Sequence, residues 1–139
     1  MKKFFLYLLG VFLLIQLIQS DKTNPKVDRQ KELKAPQEIM TLLKKSCYDC
    51  HSNETKWPKY SYIAPISWVI SSNVKNGKLA MNFSNWSDIE SNIKAKRIKR
   101  MKQLINNSMM PKSNYLMLHK GAVLSKEDKT TLTKWIEKL

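Results

Sequence analysis

The run Cys47-Tyr48-Asp49-Cys50-His51 constrains this chain more than any other stretch of it. Thiols at i and i+3 with an imidazole at i+4 sit on about one turn of helix, so three reactive groups face one way. These are the only two cysteines among 139 residues. The fold must therefore hold one short helix against a space that receives whatever the three groups bind. The five-residue pattern matches covalent haem attachment, in which two thiols reach two vinyl groups and the imidazole lies beneath the iron. One haem c is expected, with Cys47 and Cys50 as thioether anchors and His51 as the proximal iron ligand. Three alternatives stand beside it. A Cys47–Cys50 disulfide would close only a tiny loop. A thioredoxin-like redox pair needs a βαβ context, which the chain lacks. A zinc site needs four ligands, which Cys47, Cys50, His51 and His119 would have to supply.

The N-terminus bears on the compartment. Met1-Lys2-Lys3 is followed by Phe4 to Ile18, apolar apart from Tyr7, Gly10 and Gln16. This is the n-region and h-region of a secretory leader, shorter than the roughly 20 residues of a usual spanning helix. Ser20 is small enough to precede a cleavage, while Ile18 is not the small residue expected there. Residues 1–20 are thus either a cleaved signal or a retained membrane anchor. With Lys2 and Lys3 cytoplasmic, both readings place the remainder outside. It is expected in the periplasm, or facing outward and anchored to the inner membrane. Haem attachment of this kind occurs outside the cytoplasm, so leader and motif agree. Residues 21–35 are polar without an apolar face and read as a spacer. Residues 36–139 read as the folded domain.

Net charge is +14, two fewer without Lys2 and Lys3. An exported chain seldom meets nucleic acid, so the charge points to an acidic redox partner protein or an anionic membrane surface. Surface lysines also keep a small domain soluble. The densest cluster, Lys94 to Arg100, is expected on the wet face of a helix.

No alternating strand pattern, repeat or phosphate-binding loop is present, and the fold class is expected to be all-α. Pro36 suits the start of a helix, with Ile39, Met40, Leu42 and Leu43 as its stripe. A second helix is expected from Pro65 through Ile66 to Val74, stopped by Asn76-Gly77. Asn82 to Asn85 reads as a loop, with Ser84 or Ser87 capping a helix from about Asp88 to Asn106. Met109-Met110-Pro111 opens an irregular segment. Ser125-Lys126-Glu127-Asp128 is a capping box for a final helix lined by Leu132, Trp135, Ile136 and Leu139.

A sixth iron ligand is expected at Met110, because Pro111 removes a backbone donor and fixes the chain direction on a segment between helices. Met109, Met81 and His119 are the other candidates, and an open position would permit small-ligand chemistry. Met40 and Met101 lie on apolar stripes and read as core. The proximal imidazole needs an acceptor for its second N–H, and the Pro65 carbonyl is the expected one. Trp57, Tyr60, Trp68, Trp86 and Tyr115 can wall the haem or bond its propionates, or serve as ordinary core.

Lys45 to Pro58, Ile63 to Trp68, Leu79 to Trp86, Met110-Pro111-Lys112-Ser113-Asn114-Tyr115 and Leu124 to Trp135 together resemble the bacterial haem-binding domain family over about residues 36–139. Lys59 stands where that family often has an aromatic. The resemblance implies a c-type haem domain laid out like small cytochromes c, and no particular reaction. The leading expectation is a one-electron carrier outside the cytoplasm with His51 and Met110 as axial ligands, and no catalytic residue is assigned. A haem enzyme or gas sensor with an open distal side is the second reading, and a zinc-stabilised interaction module the third.

Overall fold

The computed structural model describes residues 1–139 and contains helices and turns with no strand, as the absence of alternating patterns requires. The α-helices are α1 (Lys2–Ile15), α2 (Gln37–Ser46), α3 (Tyr48–His51), α4 (Ile66–Ala80), α5 (Ser91–Asn106), α6 (Ser113–Leu118) and α7 (Lys126–Ile136). Short 3-10 helices occupy Lys59–Tyr62, Phe83–Asp88, which is kinked at Asn85, and Lys120–Ala122.

The core lies where α2 and α5 meet α7. Ile39, Leu42 and Leu43 from α2, Ile105 from α5, and Leu132, Trp135 and Ile136 from α7 are all buried. Full burial of an aliphatic side chain of this size contributes about 1.5–3 kcal/mol, so this cluster supplies most of the drive to fold. Met40 and Met101 pack against it from the side. The capping box forms as its spacing predicts. Asp128 N–H donates to Ser125 Oγ at 3.0 Å, and Ser125 N–H donates to the Asp128 carboxylate at 3.0 Å. Lys45 Nζ reaches the same carboxylate at 3.0 Å and ties the end of α2 to the start of α7. Leu139 is exposed, so the apolar stripe ends at Ile136.

Four local expectations are corrected. Asn76-Gly77 does not stop α4, which continues to Ala80. Glycine serves close packing there: a Cβ at position 77 would collide with the Cys50 carbonyl oxygen and lie 3.0 Å from its carbon. The helix tolerates the roughly 0.5–1 kcal/mol cost of an interior glycine because α3 seats against it. Neither Ser84 nor Ser87 caps α5, whose N-cap is Glu90 without a side-chain bond. The Ser84 hydroxyl is buried and accepts from Asn53 N–H at 3.0 Å. The stretch after Asn82 is a 3-10 turn, with the Asn82 side chain accepting from Ser84 N–H. Finally, α6 follows Pro111 where irregular chain was expected. Six residues are too few to show a helical stripe.

Residues 21–35 lie along the domain. Leu33 is 3 % exposed and joins the core, and its N–H donates to the Phe83 carbonyl at 2.8 Å. Arg29 bridges Glu32 and Glu54, each at 2.7 Å. Helix α1 buries none of its residues. The chain just after it is tied to the start of α4: the Gln16 amide exchanges bonds with Ala64 N–H and C=O at 2.9 and 3.1 Å, and Trp68 Nε1 donates to the Ile18 carbonyl at 2.8 Å. No helix is long and apolar enough to cross a membrane.

Candidate functional site

Helix α3 is one turn long and has two different faces. On one, Tyr48 is buried, its ring stacked on Phe83 at 5.6 Å between centroids and its hydroxyl donating to Glu32 Oε1 at 3.1 Å. On the other, Cys47, Cys50 and His51 line a cavity of about 310 Å³. Helix α4 forms a second wall through Ile66, Val69, Ile70, Val74 and Gly77. The Met110 to His119 stretch forms a third, and Thr55 to Pro58 with Tyr60 completes the lining. The structure thus brings Cys47, Cys50, His51 and Met110 to one space.

His51 is oriented by its surroundings. Its Nδ1 lies 2.9 Å from the Met81 carbonyl oxygen. A carbonyl only accepts, so Nδ1 carries the proton and Nε2 keeps the lone pair. Burial pushes the imidazole below its usual range, partly opposed by the Met81 and Gly77 carbonyls, which favours the neutral ring that a metal ligand requires. Phe83 backs the ring at 6.0 Å. The expected acceptor, Pro65, is therefore corrected to Met81. The Pro65 carbonyl is occupied by Trp68 N–H at 3.1 Å in the first turn of α4.

Cys47 and Cys50 are free thiols. Burial, then the neighbouring Cys50, pushes the Cys47 thiol up to about 12. Burial, then Asp49, pushes Cys50 up to about 11. No three His, Cys, Asp or Glu side chains converge as a metal-binding group. The four zinc ligands that the alternative required are not assembled: His119 sits on a different wall, engaged elsewhere.

That engagement is specific. His119 Nδ1 lies 3.0 Å from the Tyr115 carbonyl and must donate to it, leaving Nε2 to accept from the Tyr60 hydroxyl at 3.1 Å. The ring also stacks on Tyr115 at 4.0 Å. With its lone pair taken, His119 is a poor ligand candidate. Among the methionines, Met81 is 5 % exposed within the core and does not line the cavity. Met109 and Met117 are exposed outside it. Met110 alone of the methionines lines it.

The segment that follows Met110 is held at two points. Tyr115 Oη donates to Asp49 Oδ2 at 2.8 Å, and Lys112 Nζ donates to Asn73 Oδ1 at 2.8 Å. Burial and the Asp49 carboxylate raise the Tyr115 phenol well above its ordinary range, so it stays a donor. Asp49 lies inside the CxxCH turn, so the turn that carries His51 also positions the chain that carries Met110. Reading the sequence alone missed this bond, because its two members are 66 residues apart. It also missed the Met81 carbonyl, which has no side-chain signature. Gly77 left a signal that was misread: good helix formers, Lys78-Leu79-Ala80, follow it directly.

No curated protein and no solved structure matches the chain. A family model described as the haem-binding domain matches residues 10–138, nearly the whole chain. The sequence motif, the cavity and this match agree, and the chain belongs to the haem-binding domain family.

Proposed function

We propose that this haem-binding domain holds a single haem c, joined through thioethers at Cys47 and Cys50, with His51 and Met110 as axial ligands. It works as a one-electron carrier outside the cytoplasm. The observation that carries the reading is the convergence at the cavity. Two thiols, an imidazole with its Nδ1 proton committed to Met81, and one thioether side chain line the same space. The donor set fits an iron porphyrin: nitrogen and sulfur ligands suit the iron, and the wall from α4 is apolar. When bound, the haem supplies one-electron oxidation and reduction. The chain's own residues orient it, exclude water from it and set its potential. Met81 fixes the imidazole, and Asp49 with Tyr115 holds the Met110 segment in place.

The leader-like N-terminus and the charge support an outward-facing location, with either a released domain or one held by α1. Lys56 and Lys112 line the cavity, and an acidic redox protein suits that mouth. No residue here is assigned a catalytic role.

The test is an optical spectrum of the full chain made alongside the covalent haem-attachment machinery. Colour that survives acid-acetone extraction is the expected result, and complete extraction would sink covalent attachment. Met110→Ala is expected to remove the thioether–iron charge-transfer band and lower the reduction potential. An unchanged band and potential would exclude Met110. Tight carbon monoxide binding by the unaltered reduced protein would favour the open-site enzyme or sensor.

A further inference from the structure

Three buried polar atoms in the cavity wall have no hydrogen-bond partner: Ser46 Oγ, Thr55 Oγ1 and Trp57 Nε1. Leaving a buried group of this kind unsatisfied is costly, so a wall that holds three is shaped for a guest that brings acceptors. The three are not equivalent. Ser46 directly precedes Cys47 and belongs to the anchoring edge. Thr55 and Trp57 come from the non-helical stretch that leaves α3, two residues apart on the same cavity. Thr55 is 6 % exposed. An indole N–H is a donor only, and no neighbouring donor can satisfy it. The buried Thr55 hydroxyl, two residues away in sequence and on the same cavity, supplies a second donor. Two such donors that lack an acceptor in the protein fit a carboxylate.

A haem offers few acceptors. Its disc is apolar apart from two propionate carboxylates, which lie on the edge opposite the vinyl groups that thioethers would consume. Lys56, between the two donors in sequence, is exposed and also lines the cavity, which adds positive charge on that side. Elsewhere on the wall, Tyr60 and His119 are already satisfied internally, and Tyr115 and Lys112 donate to Asp49 and Asn73. We propose that Thr55 Oγ1 and Trp57 Nε1 are the receptor for one haem propionate. This rests on the haem reading above and goes beyond it, because it fixes which way round the disc lies. Its vinyl edge faces Cys47 and Cys50, and one carboxylate faces the 55–57 stretch. Both donors offset the carboxylate's negative charge, which otherwise disfavours the extra electron on iron.

The experiment uses the full chain carrying covalent haem whose propionates are labelled with carbon-13 through 5-aminolevulinate. Redox-difference infrared spectra then report the labelled carboxylates. Trp57→Phe and the near-isosteric Thr55→Val are each expected to shift those bands and lower the reduction potential, with haem still covalently attached. Trp86→Phe, an indole outside the cavity, is expected to leave the bands in place. Bands unmoved by both cavity variants, or moved only by Tyr60→Phe, would overturn the receptor and leave the haem reading standing. An unaltered chain that carries no covalent haem on a denaturing gel would remove the haem reading, and the receptor with it. If Trp57→Phe does not fold, Thr55→Val alone decides.

Discussion

The two faces of α3 belong to two kinds of interior. Tyr48 enters a core in which Leu43 and Leu132 are fully buried and every neighbour is protein. Two and three residues along, Cys50 and His51 border a cavity whose wall keeps unpaired polar atoms. The core face closes on itself, whereas the cavity face is complementary to something else. A single turn of helix divides a part that makes the fold from a part that uses it, and substitutions on the two faces should therefore fail differently.

The largest expected effect lies on the cavity face. Cys47→Ser with Cys50→Ser should lose all covalent haem on a denaturing gel, while far-ultraviolet circular dichroism stays helical. Covalent haem that survives the double substitution would break the comparison and the attachment proposal together. Leu43→Ala, on the core face, should cost about 2–5 kcal/mol in urea unfolding and leave the haem spectrum of the folded fraction unchanged. A spectral change would mean that the two faces are coupled. Gly77→Ala lies between the faces and forces a methyl onto the Cys50 backbone. About 1–3 kcal/mol of destabilisation is expected from such overpacking; a stability equal to the unaltered chain would show that α4 has room to move. The smallest effect is far from the cavity. Ser125→Ala removes the cap of α7 and should cost about 1 kcal/mol, with no change in reduction potential.

Legibility followed physical range. Features encoded within one or two helical turns were readable: the CxxCH turn, the Ser125 box, the α2 stripe and the all-α class. Met110 was legible as a side chain beside a proline on an inter-helix segment, and the structure puts it on the cavity. Features that depend on distant chain were not. The Met81 carbonyl reaches His51 only because α4 runs to Ala80, and that length was hidden by reading Gly77 as a turn. The bond between Asp49 and Tyr115 joins two residues with no local pattern in common. Leu33 looked like part of a polar spacer because a single apolar residue makes no stripe. Its burial depends on Phe83, 50 positions later.

The seat of Gly77 on Cys50 joins two requirements in one residue. The Cys50 carbonyl lies so close to α4 that even a methyl group at position 77 would collide with it, while Cys50 also lines the cavity. One residue thus limits how closely α4 can approach and, under the covalent reading, presents an anchor. The Gly77→Ala chain should accordingly keep its covalent haem on a denaturing gel even though its native fold is loosened. Haem absent from that variant would mean that the seat of α4 also positions the anchor.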